Sequence, residues 1–178
     1  MKHPLLMPVL SLICAAVLLI GLSFGLRGIA TAQAQAEHIR MMQVLLPGSE
    51  TFTREPYSGE DANIRSVHKG ATGFVIEVST YGYADEITLL VGVNNDGIVT
   101  GVVVTDMHET VGLGMEALTD TEFLGQFIRS EGSEEVGSTV DALTGATVTS
   151  KAIARCINSA VAYVTGADVD SGATSWGG

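Results

Sequence analysis

The stretch Glu86-Ile87-Thr88-Leu89-Leu90-Val91-Gly92-Val93-Asn94-Asn95-Asp96-Gly97-Ile98-Val99-Thr100-Gly101-Val102-Val103-Val104-Thr105 decides the fold class. Two runs rich in Val, Ile, Leu and Thr flank Asn94 to Gly97, whose Asn/Asp-Gly chemistry suits a tight hairpin turn. Gly73 to Thr80 is a third run of the same kind, so strands over 73–80, 86–93 and 98–105 form an antiparallel sheet. Upstream, Thr51 to Thr72 is polar and mixed, which predicts a loop with a short strand near Ile64 to Val67.

Helical periodicity follows the strands. Ala117 to Ile128 places Leu118, Phe123, Leu124, Phe127 and Ile128 on one face, with Asp120 as an internal cap. Ser130 to Ser138 is an acidic loop punctuated by glycine. From Thr147 to Val164 the apolar positions Val148, Ala152, Ile153, Cys156, Ile157, Ala160, Val161 and Val164 predict an amphipathic helix lying against the sheet. Strands grouped first and helices after them give an α+β class rather than a doubly wound sheet. The Gly-rich patterns of dinucleotide and P-loop folds are missing from the sequence.

The amino-terminal region has a different character. Leu5 to Leu26 carries no charged residue, and at about 1.5 Å rise per residue it is long enough to span a hydrocarbon core of about 30 Å. This predicts a single transmembrane anchor over 1–30. A cleaved signal peptide is the rival reading, because Ala32-Gln33-Ala34 and Ala34-Gln35-Ala36 resemble cleavage sites; its apolar core would be only about 7–15 residues, shorter than this run. Thr31 to Leu46 contains neither Gly nor Pro, so a membrane-proximal helix over 31–48 continues from the anchor until Pro47-Gly48 stops it. One domain over 49–165 and a Gly/Ser/Asp-rich flexible tail over 166–178 complete the layout. Lys2 on one side of the span and Arg27 and Arg40 on the other nearly cancel, so charge alone does not orient it.

Charge narrows the function. The 178 residues carry a net charge of −11, which repels phosphate polymers and excludes a nucleic-acid partner. Two cysteines, Cys14 and Cys156, are too few and too separated for a disulfide framework or a cluster, and read as packing residues. His108-Glu109 has no second His at the zinc-motif spacing, so no metal site is expected.

The chemistry concentrates in Asp141-Ala142-Leu143-Thr144-Gly145-Ala146-Thr147-Val148-Thr149-Ser150-Lys151. Gly145 and Ala146 leave the backbone bare for a bulky group. Thr144 and Thr147 flank the opening of a helix whose first amides lack partners, a place that favours an anion, and Lys151 adds a positive charge. The plain alternative is a threonine helix cap after a glycine turn, worth about 1 kcal/mol.

The segment resembles the flavinylation motif Asp-x-x-(Ser/Thr)-Gly-Ala-(Thr/Ser) of FMN-binding domains in the Rnf and Na+-translocating NADH:quinone oxidoreductase complexes. Three further stretches resemble the same domain in order along the chain: Tyr81-Gly82-Tyr83, Gly92 to Gly97, and His108-Glu109-Thr110-Val111-Gly112-Leu113-Gly114. The last departs from the family pattern at Val111, where Pro is usual, and in the direct adjacency of His108 and Glu109. The size and layout are similar to the G-subunit family of the Rnf-type ferredoxin:NAD+ oxidoreductases.

The resemblance implies covalent FMN, esterified by a flavin transferase through its phosphate to Thr147. Asp141, Thr144, Gly145, Ala146, Thr149, Ser150 and Lys151 would surround it, with Tyr83 and the loop of His108, Glu109, Thr110, Gly112, Leu113 and Gly114 beside the ring. The flavin carries the electrons and Thr147 only anchors it, so no catalytic residue is expected and no complete reaction from this chain alone. It further implies an electron-transfer subunit in a membrane complex, anchored in lipid at the cell (inner) membrane by one pass, its flavin domain on the extracytoplasmic side and its partners other redox subunits.

Asp168-Val169-Asp170-Ser171-Gly172-Ala173-Thr174 satisfies the same motif in the tail, making Thr174 a secondary attachment candidate beside a chance match. Three other readings stand: a non-redox membrane-anchored binding or scaffold module of similar fold, the C subunit of a Na+-translocating quinone reductase, and a stand-alone flavin-domain regulator. Flavin that survives denaturation separates the first of these from the redox readings.

Overall fold

The structure is a computed structural model, describing residues 33–107 and 120–167 together with Ala15 and Leu18. The expected transmembrane span, the His108–Gly114 loop, Thr174 and Cys14 lie outside the described residues. Among the described residues, no helix is long and apolar enough to cross a membrane. The chain divides into two compact units, 1–40 and 41–178, and helix α1 is described over 33–45.

The second unit is built on a five-stranded antiparallel meander, β1 (Thr53–Glu55), β2 (Ile64–Lys69), β3 (Gly73–Tyr81), β4 (Glu86–Asn94) and β5 (Val99–Met107), in that spatial order. The helices are α2 (Thr121–Gly125) and α3 (Thr147–Thr165). The expected α+β arrangement of an antiparallel sheet with helices is what the chain forms. From β2 onward each strand returns beside its predecessor through a turn of three or four residues, while residues 56–63 make a longer connection from β1. At the β4–β5 turn Gly97 N–H donates to Asn94 O at 3.0 Å, Asn94 N–H donates to Ile98 O at 2.9 Å, and Gly97 has φ +82. A three-residue loop ending in a left-handed glycine therefore closes the hairpin. The Asn94 side chain fixes it by accepting from the amides of Asp96 and Ile98 at 3.0 and 2.8 Å.

Both faces of the sheet are partly covered. Ile76, Val78, Ile87, Leu89, Val91 and Val93 point to one face and meet Ile153, Cys156, Ile157 and Ala160 of α3, with Phe123 and Phe127 filling one end. Burial of each such aliphatic side chain contributes about 1.5–3 kcal/mol, which explains why α3 adheres along its whole inner stripe. Val75 and Leu90 point the other way and meet Met42, Leu45 and Leu46 at the end of α1. Alternation along β3 and β4 thus feeds two cores.

Three sequence expectations change. Helix α2 is shorter than the predicted 117–128: it runs 121–125, and Asp120 is its N-cap rather than an internal residue, accepting from the amides of Glu122 and Phe123 at 2.9 and 3.0 Å. The chain leaves α2 through turns that end at Arg129, held at φ +74, where its amide bonds Val99 O at 2.9 Å and stops helical propagation. Strand β1 forms in a segment read as loop, since its pairing with β2 supplies an order that its three polar residues do not signal.

Candidate functional site

Helix α3 runs the length of the sheet. A Cβ added to Gly97 would lie 2.4 Å from Thr165 Cγ2, so the carboxyl end of α3 abuts the β4–β5 turn. Nineteen residues at about 1.5 Å each carry the helix about 28 Å, roughly a strand length, so Thr147 stands toward the opposite end of the sheet. That end holds the β3–β4 turn with Tyr83, 59% exposed, and the last pair of β4 and β5, Ile87 with Met107.

The loop before α3 is shaped by three anchors. Val140 is buried and Leu143 packs against the core, which holds the segment down while Asp141 and Thr144 face outward. Asp141 N–H donates to Gln126 Oε1 at 2.9 Å, tying the loop to the end of α2. Ala146 N–H donates to Leu143 O at 2.9 Å across a turn whose third residue, Gly145, has φ +80, a conformation that excludes most side chains at that place. Ser150, fully buried, closes the arrangement by donating from Oγ to Ala146 O at 2.9 Å and accepting from Leu143 N–H at 3.3 Å.

Thr147 is the first residue of α3 and not its cap. The N-cap is Ala146, which contributes no side-chain hydrogen bond, and the first turn contains no acidic residue. The amides of Thr147, Val148 and Thr149 precede the first intrahelical bond, Ser150 N–H to Ala146 O at 2.9 Å, so they remain available to an acceptor. Thr147 is exposed, and Lys151, also exposed, lies one turn on along the same face. Thr149 is wholly buried, and its hydroxyl has no hydrogen-bond partner.

Together these residues make a place suited to an anion at the start of α3: an exposed threonine hydroxyl, three free amides at the positive end of a nineteen-residue helix, a cation one turn away and a bare turn at Gly145. The phosphate end of FMN fits this donor set. Asp141, Thr144, Gly145, Ala146, Thr147, Thr149, Ser150 and Lys151 are brought together by the loop and the first turn. His108, Glu109, Thr110, Gly112, Leu113 and Gly114 fall outside the described residues. Gln126, which holds the backbone of Asp141, was not foreseen; only its exposed place at the end of a predicted helix marked it. An open cleft of about 730 Å3 at the other end of the sheet, bordered by Pro47, Asn95, Ile128 and Arg129, contains none of the expected site residues.

Comparison with known proteins identifies the family. The family described as "FMN-binding domain" matches residues 82–162, which includes both the Asp141–Thr147 segment and residues 108–114 and ends before Asp168–Thr174. The G subunit of the ion-translocating oxidoreductase complex of Methanosarcina acetivorans is 32% identical over 174 residues, covering 89% of this chain and 90% of that protein. The G subunit of the Na(+)-translocating ferredoxin:NAD(+) oxidoreductase complex of Acetobacterium woodii is 34% identical over 122 residues, 64% of this chain and 59% of that protein. The G subunit of the proton-translocating ferredoxin:NAD(+) oxidoreductase complex of Clostridium ljungdahlii is 36% identical over 99 residues, 52% of this chain and 53% of that protein. The chain thus spans between about half and nine-tenths of the length of these relatives. With an FMN-binding domain matched over residues 82–162 and a relative similar over nine-tenths of its length, the chain belongs to the G-subunit family of ion-translocating oxidoreductase complexes.

Proposed function

We infer that this chain is an electron-transfer subunit of a membrane-bound ion-translocating oxidoreductase complex, carrying FMN by a phosphoester to Thr147. The observation that carries the reading is the exposed Thr147 hydroxyl on an uncapped helix start, within the segment that matches FMN-binding domains. Bound FMN supplies the redox chemistry. The chain's own residues do the rest: Thr147 anchors, the amides of Val148 and Thr149 and the Lys151 ammonium offset phosphate charge, and Gly145 leaves room for the group. In the same reading Tyr83 and the loop of His108, Glu109, Thr110, Gly112, Leu113 and Gly114 belong beside the flavin ring.

The finer layout belongs to the same reading. A transmembrane anchor over 1–30 and a membrane-proximal helix over 31–48 hold the flavin domain, 49–165, at the extracytoplasmic face of the cell membrane, followed by a flexible tail over 166–178. Other subunits of the complex donate and accept the electrons, and a flavin transferase loads the cofactor. The names of the relatives include both Na+ and proton translocation, so the coupling ion is not carried over.

The test is in-gel flavin fluorescence after denaturing electrophoresis of the chain coexpressed with a flavin transferase, followed by peptide mapping. Trypsin separates Ser130–Lys151, with Thr147, from Cys156–Gly178, with Thr174. The FMN mass is expected on the first peptide. A colourless chain, or covalent flavin retained after Thr147→Ala with Thr174 also replaced, defeats the reading.

A further inference from the structure

Thr149 and Ser150 are neighbours, both with no exposed surface, yet only one is satisfied. Ser150 Oγ has a donor in Leu143 N–H and an acceptor in Ala146 O. Thr149 Oγ has neither. A threonine in a helix ordinarily has the carbonyl of the preceding turn within reach, but this hydroxyl does not bond it. A valine of the same shape would carry no unsatisfied group, so the hydroxyl weakens the unloaded domain unless something else completes it.

Its position indicates what that is. Thr149 is in the first turn of α3, two residues from Thr147, and side chains on a helix lean toward the amino end, where the free amides are. The geometry points to Thr149 as a positioning residue that gains its missing hydrogen-bond partner from an oxygen of the flavin phosphoester on Thr147. This role rests on the assignment of Thr147 as the attachment residue. It differs from that of Lys151, which contributes charge from solvent: Thr149 fixes the orientation of the group from beneath, in a setting where a hydrogen bond is stronger than in water.

The test compares wild type, Thr149→Val and Thr149→Ser, each prepared without flavin and loaded with FMN by a coexpressed transferase. Thr149→Val is expected to raise the melting temperature of the unloaded protein and lower that of the loaded protein, by about 2–4 °C in each case. Thr149→Ser should follow wild type in both forms. The phosphorus resonance of the loaded protein is expected to move in Thr149→Val and to stay in Thr149→Ser. Equal shifts of melting temperature in the two forms, or a phosphorus resonance unchanged by Thr149→Val, overturn the role of Thr149 while leaving Thr147 as the attachment site. If Thr149→Val does not fold, Thr149→Ala takes its place in the same two measurements. A wild-type chain with no FMN mass on the Ser130–Lys151 peptide overturns the attachment reading itself and this role with it.

Discussion

Thr100 donates its hydroxyl to the carbonyl of Leu45 across 2.5 Å, binding the last turn of α1 to the sheet. The register explains how the side chain gets there. Val93 pairs with Val99 and Gly92 with Gly101, so Thr100 is an extra residue, and the bulge turns it toward α1. Beneath the contact lie Gly92 and Gly101; a Cβ on Gly92 would stand 2.2 Å from Leu45 O, and one on Gly101 3.0 Å from Leu45 Cα. The helix end therefore rests on bare backbone. Gly92→Ala must push it off, at about 1–3 kcal/mol, whereas Thr100→Val removes only one hydrogen bond, worth about 1 kcal/mol. Urea unfolding of the folded chain should show the lower midpoint for Gly92→Ala. A larger loss from Thr100→Val would mean that the hydroxyl, not the close approach, secures α1.

Helix starts give a second contrast. Asp120 caps α2 with two hydrogen bonds, while Thr147 caps nothing. Asp120→Ala should cost about 1 kcal/mol of stability. Thr147→Ala should change the stability of the flavin-free protein by less than about 0.5 kcal/mol, since an exposed side chain without a bond is removed. Denaturation midpoints of both variants, measured without flavin, check the pair. This removes the plain alternative that the sequence offered, a threonine helix cap after a glycine turn.

What the sequence could and could not show follows from the range of each signal. Strands β3 to β5 were legible because β-branched runs and an Asn/Asp-Gly turn are local. Helix α3 was legible because Ile153, Cys156, Ile157 and Ala160 keep helical spacing. The bulge at Thr100 was hidden, since Val102-Val103-Val104 has no alternation from which a register shift could be seen. At the site, Gly145 and the hydroxyls could be picked out by type. The support from Gln126 and the solitary burial of Thr149 depend on how distant segments meet, and one-dimensional spacing carries no such information.

The outer face of the sheet carries an acid-sensitive link. Glu86 Oε1 accepts from Ser79 Oγ at 2.7 Å and from Arg65 Nη2 at 2.5 Å, and these two bonds hold its carboxyl below the ordinary glutamate value. A depressed folded value means the link stabilises above about pH 4.5 and is lost as pH falls through the folded value. Wild type should therefore exceed Glu86→Gln in melting temperature at pH 6, with the gap closing toward pH 3. A gap that stays constant over this range would remove the carboxylate from the account. The effect is small, because both side chains are exposed to solvent.

Cys156 lies at the centre of the α3–sheet core with no exposed surface, and burial pushes its thiol up to about 12. Only the thiolate is nucleophilic, and at pH 8 such a group is ionised in about one molecule in ten thousand. Iodoacetamide at pH 8 should therefore leave Cys156 unmodified in the folded protein and alkylate it after unfolding in urea, read by mass on the Cys156–Gly178 peptide. The linkage has a definite sign. Because the folded value is raised, the neutral thiol supports the fold below the ordinary value near 9.0, and that support is lost as pH rises toward 12. Cys156→Ala would remove this alkaline dependence but leave a cavity beside Ile153 and Ile157, so its stability should be lower at pH 7 and fall less steeply above pH 9. Rapid labelling of the native protein would show instead that α3 opens from the sheet under native conditions, and would place this helix among the mobile parts of the domain.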